Sequence, residues 1–211
     1  MVIAGAAYTW HLHYTNQDTT MNILLWVGMI GGLITVFVIS FKPHLAPYLA
    51  PLYGILEGFF IGAISAIINN AMAKSYPGII MQAVGITFGV AIAMFLLYNF
   101  RIIKATEKFK SIIFTATAGI AIFYLLTLVL RMFSIEMPFL YDSGLLGIGL
   151  SVFIVAIAAL NLILDFDMLE KGAEAGAPKY MEWYGAFGLL VTLVWLYMEI
   201  LRLLSRFASR D

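Results

Sequence analysis

Six long apolar runs dominate the chain, at residues 22–41, 47–72, 78–99, 111–133, 144–164 and 183–205. Each is long enough to cross the hydrocarbon core of a bilayer, which takes ~20 apolar residues as an α-helix. Only Glu57, Arg131, Glu199 and Arg202 are charged inside them, and the other 76 residues carry 20 of the 24 charges. A buried soluble core would instead need helices with a polar face at 3.6-residue spacing, and these runs lack one. With 63% apolar and 11% charged residues, against ~45–50% and ~25% in ordinary soluble domains, the chain reads as an all-α integral membrane protein. Residues 1–211 form a single transmembrane domain on this reading, with the lipid bilayer as its first partner.

The connections are short and carry turn chemistry: Lys42-Pro43-His44, Ser75-Tyr76-Pro77-Gly78, Pro138 with Asp142-Ser143-Gly144, and Gly172 to Pro178. Neighbouring helices are therefore expected to be antiparallel. Small residues recur four apart at Gly28/Gly32, Gly58/Gly62/Ala66 and Gly85/Gly89, a spacing that lets helix backbones approach closely in lipid. Residues 1–10 are apolar but rise only ~15 Å as a helix, half a bilayer. They are expected to be the end of a first helix whose beginning is missing, closing at an interfacial Trp10. Lys42, Arg101, Lys104, Lys108, Lys110, Lys171 and Lys179 collect on one side, against Lys74, Arg131, Arg202, Arg206 and Arg210 on the other. The first side is expected to be cytoplasmic.

Several chemistries are excluded. Lys and Arg balance Asp and Glu at twelve each, so no basic excess exists to hold nucleic acid. The absence of cysteine removes disulfides, thiolate metal sites and thiol nucleophiles. His11, His13 and His44 flank the spans, so facing histidine pairs for haem are not available. Ser65 and Ser151 have no His or Lys at their depth to act as base. No enzyme activity is expected, and no resident cofactor.

What stands out is acid. Glu57 lies ~15 Å into its helix, where an ionised carboxylate is expensive. Asp165 and Asp167 close the fifth run, Glu182 opens the sixth, and Glu199 lies close to the opposite face. Asp165 can approach Glu182 or, less easily, Glu57. Glu199 is explained by Arg202, three residues on along the same helix.

Residues 164–184 (Leu-Asp-Phe-Asp-Met-Leu-Glu-Lys-Gly-Ala-Glu-Ala-Gly-Ala-Pro-Lys-Tyr-Met-Glu-Trp-Tyr) and 193–204 (Leu-Val-Trp-Leu-Tyr-Met-Glu-Ile-Leu-Arg-Leu-Leu) resemble the bacterial branch of the Bax inhibitor 1 family. Leu-Glu-Gly-Phe-Phe-Ile-Gly-Ala-Ile-Ser-Ala, residues 56–66, looks like that family's glycine-rich third helix. The resemblance implies a seven-helix bundle with the last helix central, so the six runs become helices two to seven and residues 1–10 the end of helix one. It also implies a pH-sensitive calcium leak gated by two aspartates, one on the sixth helix and one on the seventh. The first falls on Asp165. The second falls near Thr192, and no acid occupies residues 183–198. The basic partner of some relatives is also missing, since Asn69 and Asn70 are the strongly polar residues near the end of the second run.

The expected function is a cation leak, with calcium as the transported ion and protons as the signal. Asp165, Glu57 and Asp167 share the proton and cation work, and calcium is placed at Asp165 and Asp167. Glu182, Thr192, Asn69, Asn70 and Glu199 are secondary sites. Desolvation and neighbouring negative charge both disfavour an ionised carboxylate, and a carboxylate, once charged, suits a hard cation such as calcium. The competing reading is a non-conducting regulator that binds other membrane proteins. The resemblance places the chain in the bacterial cytoplasmic membrane rather than an organelle membrane.

Overall fold

The computed structural model describes residues 1–15, 17–72, 76–134 and 144–209. Among them are seven α-helices: α1 (Val2–Tyr14), α2 (Asp18–Phe41), α3 (Ala46–Met72), α4 (Ile79–Asn99), α5 (Glu107–Met132), α6 (Leu145–Glu174) and α7 (Tyr180–Ala208). A single 3-10 turn, Pro43–Leu45, joins α2 to α3. The helices α2 to α7 are long and apolar enough to cross a membrane. Ser75, the turn residues Pro138, Asp142 and Ser143, and the flanking Lys74 and Arg210 lie outside the described residues.

The apolar runs predict the helices, but every helix except α4 outlasts its run, because a run marks hydrocarbon while a helix ends only where backbone chemistry stops it. The largest difference is in α6, which continues ten residues past Leu164 to Glu174. Met168-Leu-Glu-Lys contains good helix formers, and the stop comes from Gly176, whose φ of 62° is left-handed, followed by Pro178. Asp165 and Asp167 therefore sit inside α6 rather than closing it. At the other end of the chain α1 runs on to Tyr14, so Trp10 does not close it and His11 and His13 belong to its last turn instead of flanking it. Its 13 residues rise ~20 Å, less than a bilayer core. The helix α5 begins at Glu107 because Thr106 caps it, its hydroxyl accepting from the Phe109 N–H at 3.2 Å.

Two compact units divide the chain: residues 1–77 with 168–191, and residues 78–167 with 192–211. In the first unit α1, α2 and α3 pack backbone against backbone. A Cβ on Gly5 would lie 2.8 Å from the Ile55 carbonyl and 3.1 Å from Gly58 Cα; on Gly62 it would lie 2.6 Å from Ala6 Cα. Gly28 in α2 similarly faces Leu56 and Phe60. The core here contains Ile39, Ala46, Ala50, Tyr53 and Phe187, with Tyr53 edge-on to Phe187 at 5.0 Å, and a second cluster of Leu12, Met21, Ala63 and Ala66. The other glycine pair departs from expectation. A Cβ on Gly85 or Gly89 would meet no neighbouring atom within 4 Å, so the four-residue spacing in α4 is not a close helix contact among the described residues.

In the second unit Ile113, Ile120, Ile154 and Ile157 form the apolar core. The helices run antiparallel there, as the short connections require. From α5 to α6 the contacts step from Lys110–Asp167 to Thr117–Asn161, one chain number rising as the other falls.

Candidate functional site

The acids identified in the sequence divide between the units. Glu57 belongs to the first. Its neighbour one turn back, Tyr53, donates its hydroxyl to the Glu57 carboxylate. A Cβ on Gly32 of α2 would lie 3.0 Å from Glu57 Oε2, so the small residue in α2 leaves the volume the carboxylate fills. Glu182 is exposed in the first turn of α7. Asn69 is half-buried and Asn70 exposed, near the end of α3.

The second unit holds the other acids, each in a different setting. Asp167 is a buried residue with two partners from neighbouring helices: Lys110 Nζ of α5 at 2.7 Å from Oδ2, and the Tyr98 hydroxyl of α4 donating to Oδ1 at 3.4 Å. Lys110 also reaches Glu107 at 3.3 Å. Asp165 meets α7, where Thr192 donates its hydroxyl to the carboxylate, while Asp165 Oδ2 is buried with no hydrogen-bond partner among the described residues. Two residues apart, the aspartates are turned by ~200° around the helix, so they address different neighbours rather than one ion.

Glu199 is 2% exposed and makes the pairing that its spacing predicts. Arg202 Nη1 donates to both carboxylate oxygens at 3.0 Å. The Tyr124 hydroxyl of α5 donates to Glu199 Oε1 at 2.8 Å and accepts from Arg202. Further along α7, Arg206 donates to the Gly147 carbonyl and, at 2.7 Å, to Ser151 Oγ of α6.

Sequence reasoning missed the α5 residues that face Asp167, Asn161 and Glu199. Lys110, Thr117 and Tyr124 lie seven apart on α5 and present one face, since seven residues are close to two turns. Thr117 accepts from Asn161 Nδ2 of α6 at 2.8 Å. The seven-residue interval was the available signal, but threonine and tyrosine do not stand out in an apolar run.

What this arrangement can do depends on how each carboxylate is satisfied. Asp167 and Glu199 each have a cationic side chain in contact; Asp165 has a neutral hydroxyl. A charged carboxylate left with an unsatisfied oxygen inside a membrane span must be protonated, hydrated or cation-bound. A comparison with known protein families finds a match over residues 1–209 to the model described as Bax inhibitor 1 like. No curated protein and no solved structure matches.

Proposed function

Because the chain belongs to the Bax inhibitor 1 like family, we propose that it is a pH-sensitive cation leak of the bacterial cytoplasmic membrane, with calcium as the transported ion and Asp165 as its proton-sensing group. The seven helices are then the family's bundle, with α1 as its first member. The observation that carries this reading is the buried Oδ2 of Asp165, without a partner beside the Thr192 hydroxyl.

The threonine stands where the family resemblance calls for a second aspartate. A pair of facing carboxylates can share one proton, which ties two helices together while that proton is present. Here the tie is a single hydrogen bond from Thr192, and it satisfies only one side of the Asp165 carboxyl. With the proton on, Asp165 is neutral and tolerable in an apolar span. With the proton lost, the second oxygen has a full need for water or a cation, and oxygen ligands suit calcium. Flux should therefore rise as pH rises. Glu57 is the second carboxylate of the proposal, held by Tyr53. Asp167, with Lys110 already on it, ties α6 to α5.

Purified protein in calcium-loaded proteoliposomes, compared at an acidic and a near-neutral pH with protein-free vesicles, tests the reading. Protein-dependent flux that grows with pH is expected. Flux equal to that of empty vesicles at both pH values would return the chain to the non-conducting class, in which the bundle acts by binding other membrane proteins.

A further inference from the structure

The polar contacts of the second unit fall into register. Asp165 meets Thr192 and Ser151 meets Arg206, so a step of 14 residues down α6 matches a step of 14 up α7. Glu199 lies midway, seven residues from each of Thr192 and Arg206, and hence ~10 Å from either along the axis. The α5 stripe runs beside it, with Lys110 on Asp167, Thr117 on Asn161 and Tyr124 on Glu199. Polar side chains turned toward one another at successive depths inside membrane spans mark ion or proton paths.

At the Glu199 level three oxygens converge on one cationic nitrogen. Arg202 Nη1 lies 3.0 Å from Glu199 Oε1 and 3.0 Å from Oε2, and donates to the Tyr124 hydroxyl. The guanidinium carbon also sits 5.2 Å from the centre of the Tyr124 ring. Two carboxylate oxygens are hard ligands of the kind that a divalent cation takes, and the phenol oxygen helps to hold the arginine on them. The charge that fills them belongs to the chain itself, one turn along the same helix. Arg202 retains 41% side-chain exposure while Glu199 retains 2%, so the arginine can withdraw along its flexible stem but the carboxylate cannot follow.

We propose that Glu199 is a second cation site on the path that passes Asp165, and that Arg202, steadied by Tyr124, occupies it as a tethered cation that keeps the path shut. The inference rests on the cation-leak reading above and adds a station and its blocking group. A permeant cation must displace Arg202 from the carboxylate, so calcium and the guanidinium compete for the same oxygens. Asp165 then sets the pH response, and the Glu199 level sets how much flux passes at any pH.

The test is calcium flux in proteoliposomes for the unmodified protein, Arg202→Gln, Arg202→Gln/Glu199→Gln and Tyr124→Phe, each checked for monodispersity. Arg202→Gln is expected to raise flux by about fivefold or more, the lower end of a coupling between two sites. The double variant should lose that gain, because the freed carboxylate is what passes the ion. Tyr124→Phe removes one ligand of the arginine and should give a smaller rise. A pH-dependent flux in the unmodified protein that Arg202→Gln leaves unchanged or lowers would overturn the tethered-cation site alone; a gain that survives Glu199→Gln would do the same. Absence of flux in all four proteins overturns both this site and the leak reading. If Arg202→Gln does not fold, Tyr124→Phe decides: raised flux supports the site, and unchanged flux rejects it.

Discussion

In the first unit, α1 and α3 approach until Gly5 faces Gly58 and Gly62 faces Ala6, whereas in the second unit α5, α6 and α7 are joined through side chains: Lys110 to Asp167, Asn161 to Thr117, Tyr124 to Glu199 and Arg206 to Ser151. Lipid offers no hydrophobic drive between helices, so association must come from close packing or from polar contacts. The chain uses the first solution in one unit and the second in the other. Close backbone packing tolerates no added volume, and the glycine contacts themselves offer no group that changes charge. A polar seam tolerates substitution better and contains groups that can take up protons and cations. The proposed ion chemistry is assigned mainly to the second unit on that ground, with a lesser share for Glu57 of the first.

The comparison breaks first where volume is added. Gly58→Val would drive methyls into the Val2 carbonyl and the Gly5 backbone, and should destabilise the protein by about 3 kcal/mol, the upper end for over-packing. Gly85→Val, where a Cβ meets nothing within 4 Å, is the control and should shift stability far less. Thermal unfolding in detergent checks both, and equal losses would show that glycine spacing rather than contact governs.

A second prediction separates anchoring from sensing inside the polar unit. Asp167→Asn removes the charge that holds Lys110 at 2.7 Å while keeping shape and an acceptor for Tyr98. A loss of about 1–3 kcal/mol is expected, the cost of a broken charged hydrogen bond, with the pH dependence of flux retained. If that pH dependence vanishes instead, sensing is shared between the two aspartates.

The smallest stability effect is expected at Glu57. Glu57→Gln preserves volume and an acceptor for the Tyr53 hydroxyl, so stability should stay within about 0.5 kcal/mol of the unmodified protein. Flux should fall, but by less than in an Asp165 variant. A fall as large as at Asp165 would place ion work in both units and erase the distinction drawn here.

The helices were legible in the sequence because each span must satisfy its own backbone in lipid, and the six apolar runs locate α2 to α7 to within a few residues at most ends. The end of α6 was not, since Gly176 rather than hydropathy stops it. The Glu199–Arg202 pair was readable as neighbours on one helix, and Asp165 from the resemblance of its surroundings. The partners of Asp167 were not: Tyr98 and Lys110 lie 69 and 57 residues away, and only the packing of α4 on α6 and the antiparallel register of α5 and α6 bring them there. Gly85 and Gly89 show the converse, a packing motif in sequence that meets no close neighbour among the described residues.

The central claim is that Asp165 is the group whose charge sets conduction. Calcium flux of Asp165→Asn, reconstituted beside the unmodified protein and followed from acidic to near-neutral pH, measures it most directly. Asparagine holds the shape of the protonated acid and cannot ionise, so the variant should show low flux that no longer changes with pH, while the unmodified protein conducts more as pH rises. Flux in Asp165→Asn that depends on pH as strongly as in the unmodified protein would contradict the account.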